Sequence, residues 1–322
     1  MERKGYKLSP APEQADLVVV LVCSVRQSAV NRVYSLISRI KKQKLKKQNI
    51  ILTWCILGAD KKIFLNMGVE IKDFKVLEKI PPATGLITIG QGCNNFCSYC
   101  VVPYTRGREK YRSPELIIKE VRHLLKQGIK EITLVAQNVN SYKFKIQNSK
   151  FKSASQKSKL HKEEYGFVDL LKQVTALRGD FKVKFLTNHP KDFSDELIKE
   201  MAQNPKVVKY AHLPFQAGDN QILAKMNRGY TRQDYLRLAA KIKKAMPNVV
   251  ITTDVIVGFP GETKKAFQNT VAVFKKIGFR QAFVAKYSPR EGTFAYKLKD
   301  NVPLAEKKRR EQLLLDLIKR HN

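Results

Sequence analysis

The sequence predicts an α/β protein in two parts: a small N-terminal α/β domain and, beyond it, an open or closed barrel of six strand–helix units. Three observations lead there. From Leu86 onward, short apolar runs alternate with amphipathic stretches, the pattern of parallel strands joined by right-handed crossovers. Upstream, a separate strand–helix–strand pattern fills Ala15 to about Asp73. Between the two, "DFKVLEKIPPATG" (Asp73–Gly85) carries paired prolines and a terminal glycine, the marks of a linker. The expected boundaries are therefore 1–73, a linker at 74–85, and 86–322.

In the first part, "ADLVVVLVCS" reads as a strand and "NIILTWC", opening at Asn49, as a buried parallel strand. The helix between them sets Val30, Val33, Leu36, Ile37 and Ile40 at helical spacing, and a basic tail ends it. In the second part, strands are expected at Leu86–Gly90, Glu131–Ala136, Lys182–Leu186, Val208–Leu213, Val249–Val257 and Gln281–Tyr287. Helices are expected at Pro114–Gln127, Phe167–Leu177, Ser194–Gln203, Thr231–Ala245 and Lys264–Ile277. Reacting groups in such folds sit on loops at the C-terminal ends of the strands. Polar or glycine-rich loops recur there: "AQNVN", "TNHP", "LPFQAG" and "VGFPGET". One segment breaks the rhythm. Lys143–Glu164 is Lys/Ser-rich with weak periodicity, as expected of a mobile insertion.

Composition narrows the function. Lys and Arg number 61 against 28 Asp and Glu, a formal charge of +33. This favours a polyanionic partner through counterion release, with a generally basic surface as the alternative. The longest apolar run, Leu17–Cys23, is too short to cross a bilayer. No signal peptide opens the chain, so a cytosolic location and no membrane partner are expected. Five cysteines in a reducing compartment argue against a disulfide framework.

Three of those cysteines, Cys93, Cys97 and Cys100, stand together in "GCNNFCSYCVVPYTRGRE", just after the first barrel strand. Their spacing would put all three on one face of a helix, but Gly92, the paired Asn94 and Asn95, and Pro103 argue against a long helix there. Zinc is a second possibility, although no further Cys or His lies nearby to close a four-ligand site. An iron–sulfur cluster, held by thiolates at short spacings, is the third. Three protein ligands would leave one iron open, as a catalytic metal must be. The five histidines, His123, His161, His189, His212 and His321, have no metal-ligand spacing. His189 and His212 fall at strand ends and are candidates to line the pocket.

C-x3-C-x2-C with aromatic Tyr99 before the last cysteine resembles the radical S-adenosylmethionine (SAM) enzymes. The resemblance implies an open (β/α)6 partial barrel and a [4Fe–4S] cluster on Cys93, Cys97 and Cys100, with SAM chelating the fourth iron. It also implies reductive cleavage of SAM to methionine and a 5′-deoxyadenosyl radical. "GCNNFCSYCVVPYTRGREKYRSPELIIKEV", "EITLVAQNVNSY", "TNHPKDFSDELI", "AHLPFQAGDNQILAKMNRGYTRQDY", "TTDVIVGFPGET" and "YSPREGTFAYKLKDNVP" are similar to the MiaB-type tRNA methylthiotransferases. That family implies methylthiolation at C2 of N6-isopentenyladenosine beside the tRNA anticodon, with two SAM molecules consumed. "QNVN" (Gln137–Asn140) bears on substrate choice, and Tyr99, Asn138, Gln216 and Gly258 are the candidate SAM contacts. The strip "YTRGREKYR" offers Arg106, Arg108 and Arg112 to RNA phosphates, with Tyr104 and Tyr111 interleaved for stacking. A solvated basic turn is the bland alternative there. An electron donor such as a flavodoxin or ferredoxin is implied, and a monomer is expected.

The family carries a second [4Fe–4S] cluster on three N-terminal cysteines, and Cys23 and Cys55 match two of them. No cysteine precedes Cys23, and the chain stops in "EKKRREQLLLDLIKRHN" where the family continues into a small RNA-binding TRAM domain. A truncated reading frame and a labile or absent second cluster are the expectation. The alternatives are a radical SAM methylthiotransferase on threonylcarbamoyl-adenosine tRNA or a ribosomal protein, and a non-methylthiolating RNA-binding homologue.

Overall fold

The computed structural model describes residues 7–24, 27–42, 49–72, 85–145, 164–186 and 188–321. Of the expected linker only Gly85 is among them, and the body of the expected insertion also lies outside the described residues. The chain clusters into two compact units.

The first unit joins described residues of Met1–Ile80 to two short segments, Tyr99–Arg106 and Ser288–Lys297. Its sheet contains β1 (Leu17–Cys23), β2 (Asn49–Cys55) and β3 (Glu70–Ile71), all parallel in that order. Helix α1 (Gln27–Lys42) links β1 to β2, and α2 (Gly58–Asn66) links β2 to β3. The sequence reading did not resolve α2 or β3. Val30, Val33, Ile37 and Ile40 of α1 are buried against Val18, Val22, Ile50 and Leu52, with Leu36 at the margin, so the helical spacing reports the packed face. Cys23 and Cys55 are direct partners in the β1–β2 register, at the C-terminal ends of both strands. Here, too, Arg290 and Asp60 form a buried ion pair of 2.9 Å. Ser24 Oγ donates to the same carboxylate at 2.7 Å. Helix α3 (Val102–Thr105) belongs to this unit.

The second unit is the barrel. Its strands are β4 (Leu86–Thr88), β5 (Gly90–Gln91), β6 (Lys110–Tyr111), β7 (Glu131–Val135), β8 (Lys143–Lys145), β9 (Glu164–Gly166), β10 (Lys182–Phe185), β11 (Tyr210–His212), β12 (Val250–Val257) and β13 (Gln281–Lys286). Its helices are α4 (Pro114–Lys126), α5 (Phe167–Thr175), α6 (Asp195–Gln203), α7 (Asn220–Lys225), α8 (Arg232–Ala245), α9 (Lys264–Ile277) and α10 (Leu304–His321). Two parallel sheets, ordered β10-β7-β4 and β11-β12-β13, are joined by a parallel bridge between Val183 and Val207. Six parallel strands therefore follow one another in chain order and stay unpaired, among the described residues, between β4 and β13. This is the open (β/α)6 partial barrel. The ends of the insertion form an antiparallel pair, β8 with β9.

The five expected helices lie where the amphipathic stretches put them. In α4, Ser113 caps the first turn, Pro114 takes the position that needs no N–H, and Ile117, Ile118, Val121 and Leu124 are buried. Thr231 and Asp234 form a capping box on α8. Gly278 ends α9 in the left-handed conformation. The core is one apolar cluster from Ile87 to Leu314 between strands and helices. Among the described residues, no helix is long and apolar enough to cross a membrane.

Candidate active site

The thiol loop leaves β5 through Gly92, whose φ is +82°. A Cβ at Gly92 would fall 2.1 Å from the Arg108 carbonyl oxygen, so the loop's two arms approach more closely than a side chain allows. The Cys93 N–H donates to the Gly107 carbonyl at 3.2 Å. Asn94 and Glu109 bond reciprocally, with the Asn94 N–H donating to Oε1 and the Glu109 N–H to Asn94 Oδ1. Phe96 is held at φ +46°, a strained value for an aromatic residue, and the Arg108 guanidinium covers its ring at 4.1 Å.

Cys97 is buried, and Arg228 Nη1 donates to its sulfur at 3.2 Å. Burial pushes the Cys93 thiol up, with Glu109 adding to the effect and a backbone hydrogen bond from Asn95 opposing it. Cys23, Cys93, Cys97 and Cys100 form no disulfide. Tyr99 and Cys100 open the segment that belongs to the first unit. No three His, Cys, Asp or Glu side chains among the described residues gather as around a single metal ion. The donor set itself, three thiols close together in sequence with a guanidinium on one of them, fits an iron–sulfur cluster, which takes each thiolate at a separate iron.

The loop after β7 fastens this arrangement. Gln137 Oε1 accepts the Gly92 N–H at 2.6 Å. Asn138 is buried; its Nδ2 donates to Asp192 at 2.8 Å and its Oδ1 accepts the His189 N–H at 3.1 Å. Asn140 holds the same residue, donating to the His189 carbonyl and accepting its N–H. The Asn138 side chain, expected to contact SAM, is thus engaged in clamping the loop after β10. "QNVN" is the barrel's internal fastening.

His189 lies buried beneath that clamp. Its Nδ1 accepts the Lys191 N–H at 3.3 Å, which leaves the ring proton on Nε2. Burial, with Arg228 and Lys191 beside it, lowers its pKa to about 2, so the ring is neutral. Next to it, Asn188 Oδ1 is buried with no hydrogen-bond partner among the described residues. Farther into the barrel, His212 Nδ1 pairs with Thr252 Oγ1 at 2.9 Å and Nε2 with Asp254 at 3.2 Å. Tyr210 OH continues the chain to Thr252 at 2.8 Å. The sequence reading missed Asn188, in the loop after β10, and Thr252 and Asp254, which lie within β12.

Gln216 sits in the left-handed region at φ +69°, buried, and bridges Val255 of β12 through its backbone. A non-glycine residue held there stores strain of the kind found at ligand sites. Gly258 has φ +70°, but the group pressed against it is protein: a Cβ would fall 2.3 Å from Lys307 Cγ. Its N–H donates to Glu262 at 2.6 Å, and Glu262 pairs with Arg310 of α10 at 2.7 Å in a fully buried bridge. The glycine is therefore required by α10, a reason that the sequence did not reveal.

The basic strip is divided. Arg108 is exposed over Phe96. Arg112 is turned to the protein, donating to the Thr88 carbonyl at 2.7 Å and to Glu120 at 2.6 Å. Arg106 follows α3 as its C-terminal cap, in the first unit. Tyr104 is exposed, whereas Tyr111 is half-buried, packs edge-on against Tyr142 and pairs its hydroxyl with Ser141.

An open (β/α)6 barrel with three closely spaced thiols in the loop leaving its first strand defines a radical SAM protein. The Radical SAM superfamily model matches residues 87–274, and the Uncharacterized protein family UPF0004 model matches residues 1–73. The chain is 40% identical to a tRNA-2-methylthio-N(6)-dimethylallyladenosine synthase of Clostridium novyi, covering 98% of this chain and 75% of that one. A Thermotoga petrophila protein of the same name is 38% identical, over 99% of this chain and 77% of the relative. The chain belongs to this family of tRNA-2-methylthio-N(6)-dimethylallyladenosine synthases. Among solved structures, the radical SAM methyltransferase TsrM of Kitasatospora setae shares the fold, with TM-score 0.55 and 14% identity over 84% of this chain and 64% of that chain.

Proposed function

We propose that this protein methylthiolates C2 of N6-isopentenyladenosine next to the anticodon of tRNA, using a [4Fe–4S] cluster and SAM. The observation that carries the reading is the thiol loop, pinned at Gly92 and Cys97, in a chain that aligns over 98% of its length with 75% of a relative's. Cys93, Cys97 and Cys100 would hold the cluster, which together with SAM would supply the radical chemistry that an adenine C2–H bond requires, since no side-chain base is strong enough to remove that proton. The chain's own residues do the rest. Gln137, Asn138 and Asn140 fix the loops around the mouth, and neutral His189 holds a proton on Nε2 without adding positive charge to the cluster's surroundings.

In this reading, Tyr99, Gln216 and the loop containing Gly258 border SAM, with Asn138 acting through the clamp. Cys23 and Cys55, adjacent across β1 and β2, are two of the thiolates for a second cluster that stations the sulfur. Arg106 and Arg108 meet RNA phosphates, and Arg112 braces the strand behind them. The boundaries at 73 and 85 separate the two functional parts. A flavodoxin or ferredoxin supplies electrons to a cytoplasmic monomer.

Nucleoside mass spectrometry of tRNA from a methylthiotransferase-null cell expressing the chain tests the assignment. Methylthio-isopentenyladenosine should appear, and should vanish when Cys93, Cys97 or Cys100 is replaced by Ala. Anaerobically reconstituted protein that takes up zinc but no iron would overturn it.

A further inference from the structure

The segment after α7 grips the thiol loop from a distant part of the chain. The Lys225 carbonyl accepts Ser98 Oγ–H at 2.7 Å, and the Met226 carbonyl accepts the Ser98 N–H at 3.0 Å. Asn227 Nδ2 donates to the carbonyls of Asn95 and Phe96 at 3.3 and 3.0 Å. Two left-handed residues, Asn227 at φ +55° and Gly229 at +67°, bend the backbone around the loop. Arg228 sits between them, 4% exposed. Its Nε donates to Tyr230 OH at 3.1 Å and its Nη2 to the Pro214 carbonyl at 2.7 Å. The remaining nitrogen, Nη1, points to Cys97 Sγ.

A guanidinium fixed on two sides by the protein and aimed at one sulfur is more than a structural arginine needs to be. Hydrogen bonds to cluster sulfurs and the charge near them are the protein's means of setting a cluster's potential. Accepting an electron adds negative charge to the cluster, and a cation held in a site shielded from water stabilises the added charge strongly. Arginine cannot lose its proton there.

We propose that Arg228 is a positioning residue that raises the reduction potential of the cluster held by the thiol loop, through its hydrogen bond to the Cys97 thiolate. The inference rests on the reading that Cys93, Cys97 and Cys100 hold a [4Fe–4S] cluster. The step affected is the entry of one electron into that cluster from the external donor. Arg228 makes this entry easier, and it correspondingly reduces the driving force with which the electron passes on to SAM.

The test is potentiometric titration of anaerobically reconstituted full-length protein with Ti(III) citrate, following the reduced-cluster EPR signal that changes when SAM is added. Iron uptake and that signal in the unaltered protein establish the cluster itself, separately from the role of Arg228. In Arg228→Gln the midpoint should become more negative, with the reduced-to-oxidised ratio at fixed potential falling about tenfold, or about 59 mV for one electron. Arg228→Lys, which keeps the charge but not the fork, should fall between. Tyr230→Phe removes a neighbouring contact but leaves the Cys97 bond, and should stay at the unaltered midpoint. If Arg228→Gln loses its iron, a midpoint in Arg228→Lys below the unaltered value, with Tyr230→Phe unmoved, still supports the proposal. An unaltered midpoint in Arg228→Gln, or an equal shift in Tyr230→Phe, would overturn it.

Discussion

Replacing Arg310 by Met isolates the buried ion pair beneath the loop after β12. The Arg310 and Glu262 side chains are 3% and 1% exposed and 2.7 Å apart, and the guanidinium also contacts Glu306 at 2.8 Å and the Phe267 ring. Methionine fills similar space against that ring but leaves Glu262 buried with only the Gly258 N–H. Removing one partner of such a pair costs about 3–5 kcal/mol, which for a unit of this size is a fall of about 6–20 °C in Tm. Burial already raises the Glu262 pKa, with Arg310 opposing the rise. Without the arginine the carboxyl should rise further and take up a proton, so the loss should shrink as pH falls from 7 to 5. In the unfolded chain Glu262 ionises at the usual carboxylate value, so protonation in the fold favours the native state as pH drops. Thermal unfolding of the apoprotein by circular dichroism at both pH values measures this, and the double variant Glu262→Gln/Arg310→Met should recover most of the stability. A loss under about 1 kcal/mol, or one indifferent to pH, would refute the account.

His189→Gln should remove a pH dependence: the fold keeps this ring neutral, so its stabilisation is complete above the unfolded pKa near 6.5 and is lost below it. Unaltered protein should lose about 2 kcal/mol more than the variant between pH 7 and 5, as read by urea unfolding. Gly92→Ala should abolish iron uptake, because its Cβ meets backbone, whereas Gly107→Ala, with φ +74° and open space, should retain iron at a cost of about 1–2 kcal/mol; equal iron contents would contradict the close approach. Asp60→Asn leaves the Arg290 cation without its carboxylate, and limited proteolysis should cut the small unit at least about tenfold faster, the equivalent of 1.4 kcal/mol or more out of the 3–5 at stake.

The strands and helices of the barrel were legible because each is a local pattern. Ile117, Ile118, Val121 and Leu124 mark the inner face of α4 whatever lies opposite. Helix α7 escaped notice because six residues with two buried side chains make no period. The thiol loop was legible from its spacing, but its surroundings were not. Nothing near Cys97 in sequence announces Arg228, and nothing in "QNVN" distinguishes a ligand contact from a clamp on His189. The partners of Arg112 and Tyr111 were hidden for the same reason: the partner of a charge or a ring is chosen by tertiary contacts, here with Glu120 and Tyr142. Gly258, marked in the sequence only as a candidate SAM contact, also packs against Lys307 of α10, a contact that no local pattern announces.

The bond from Arg228 to Cys97 spans 131 residues. On a ribosome the thiol loop emerges long before the segment that grips it, and contacts of such separation close late in folding. A nascent chain would therefore expose Cys93 and Cys97 without their mould while the next 131 residues are made, open to oxygen and stray metals. Iron delivered to the finished barrel, by contrast, meets a loop already shaped by Ser98, Asn227 and Arg228. Topology thus favours installing the cofactor after the segment around Arg228 has been made.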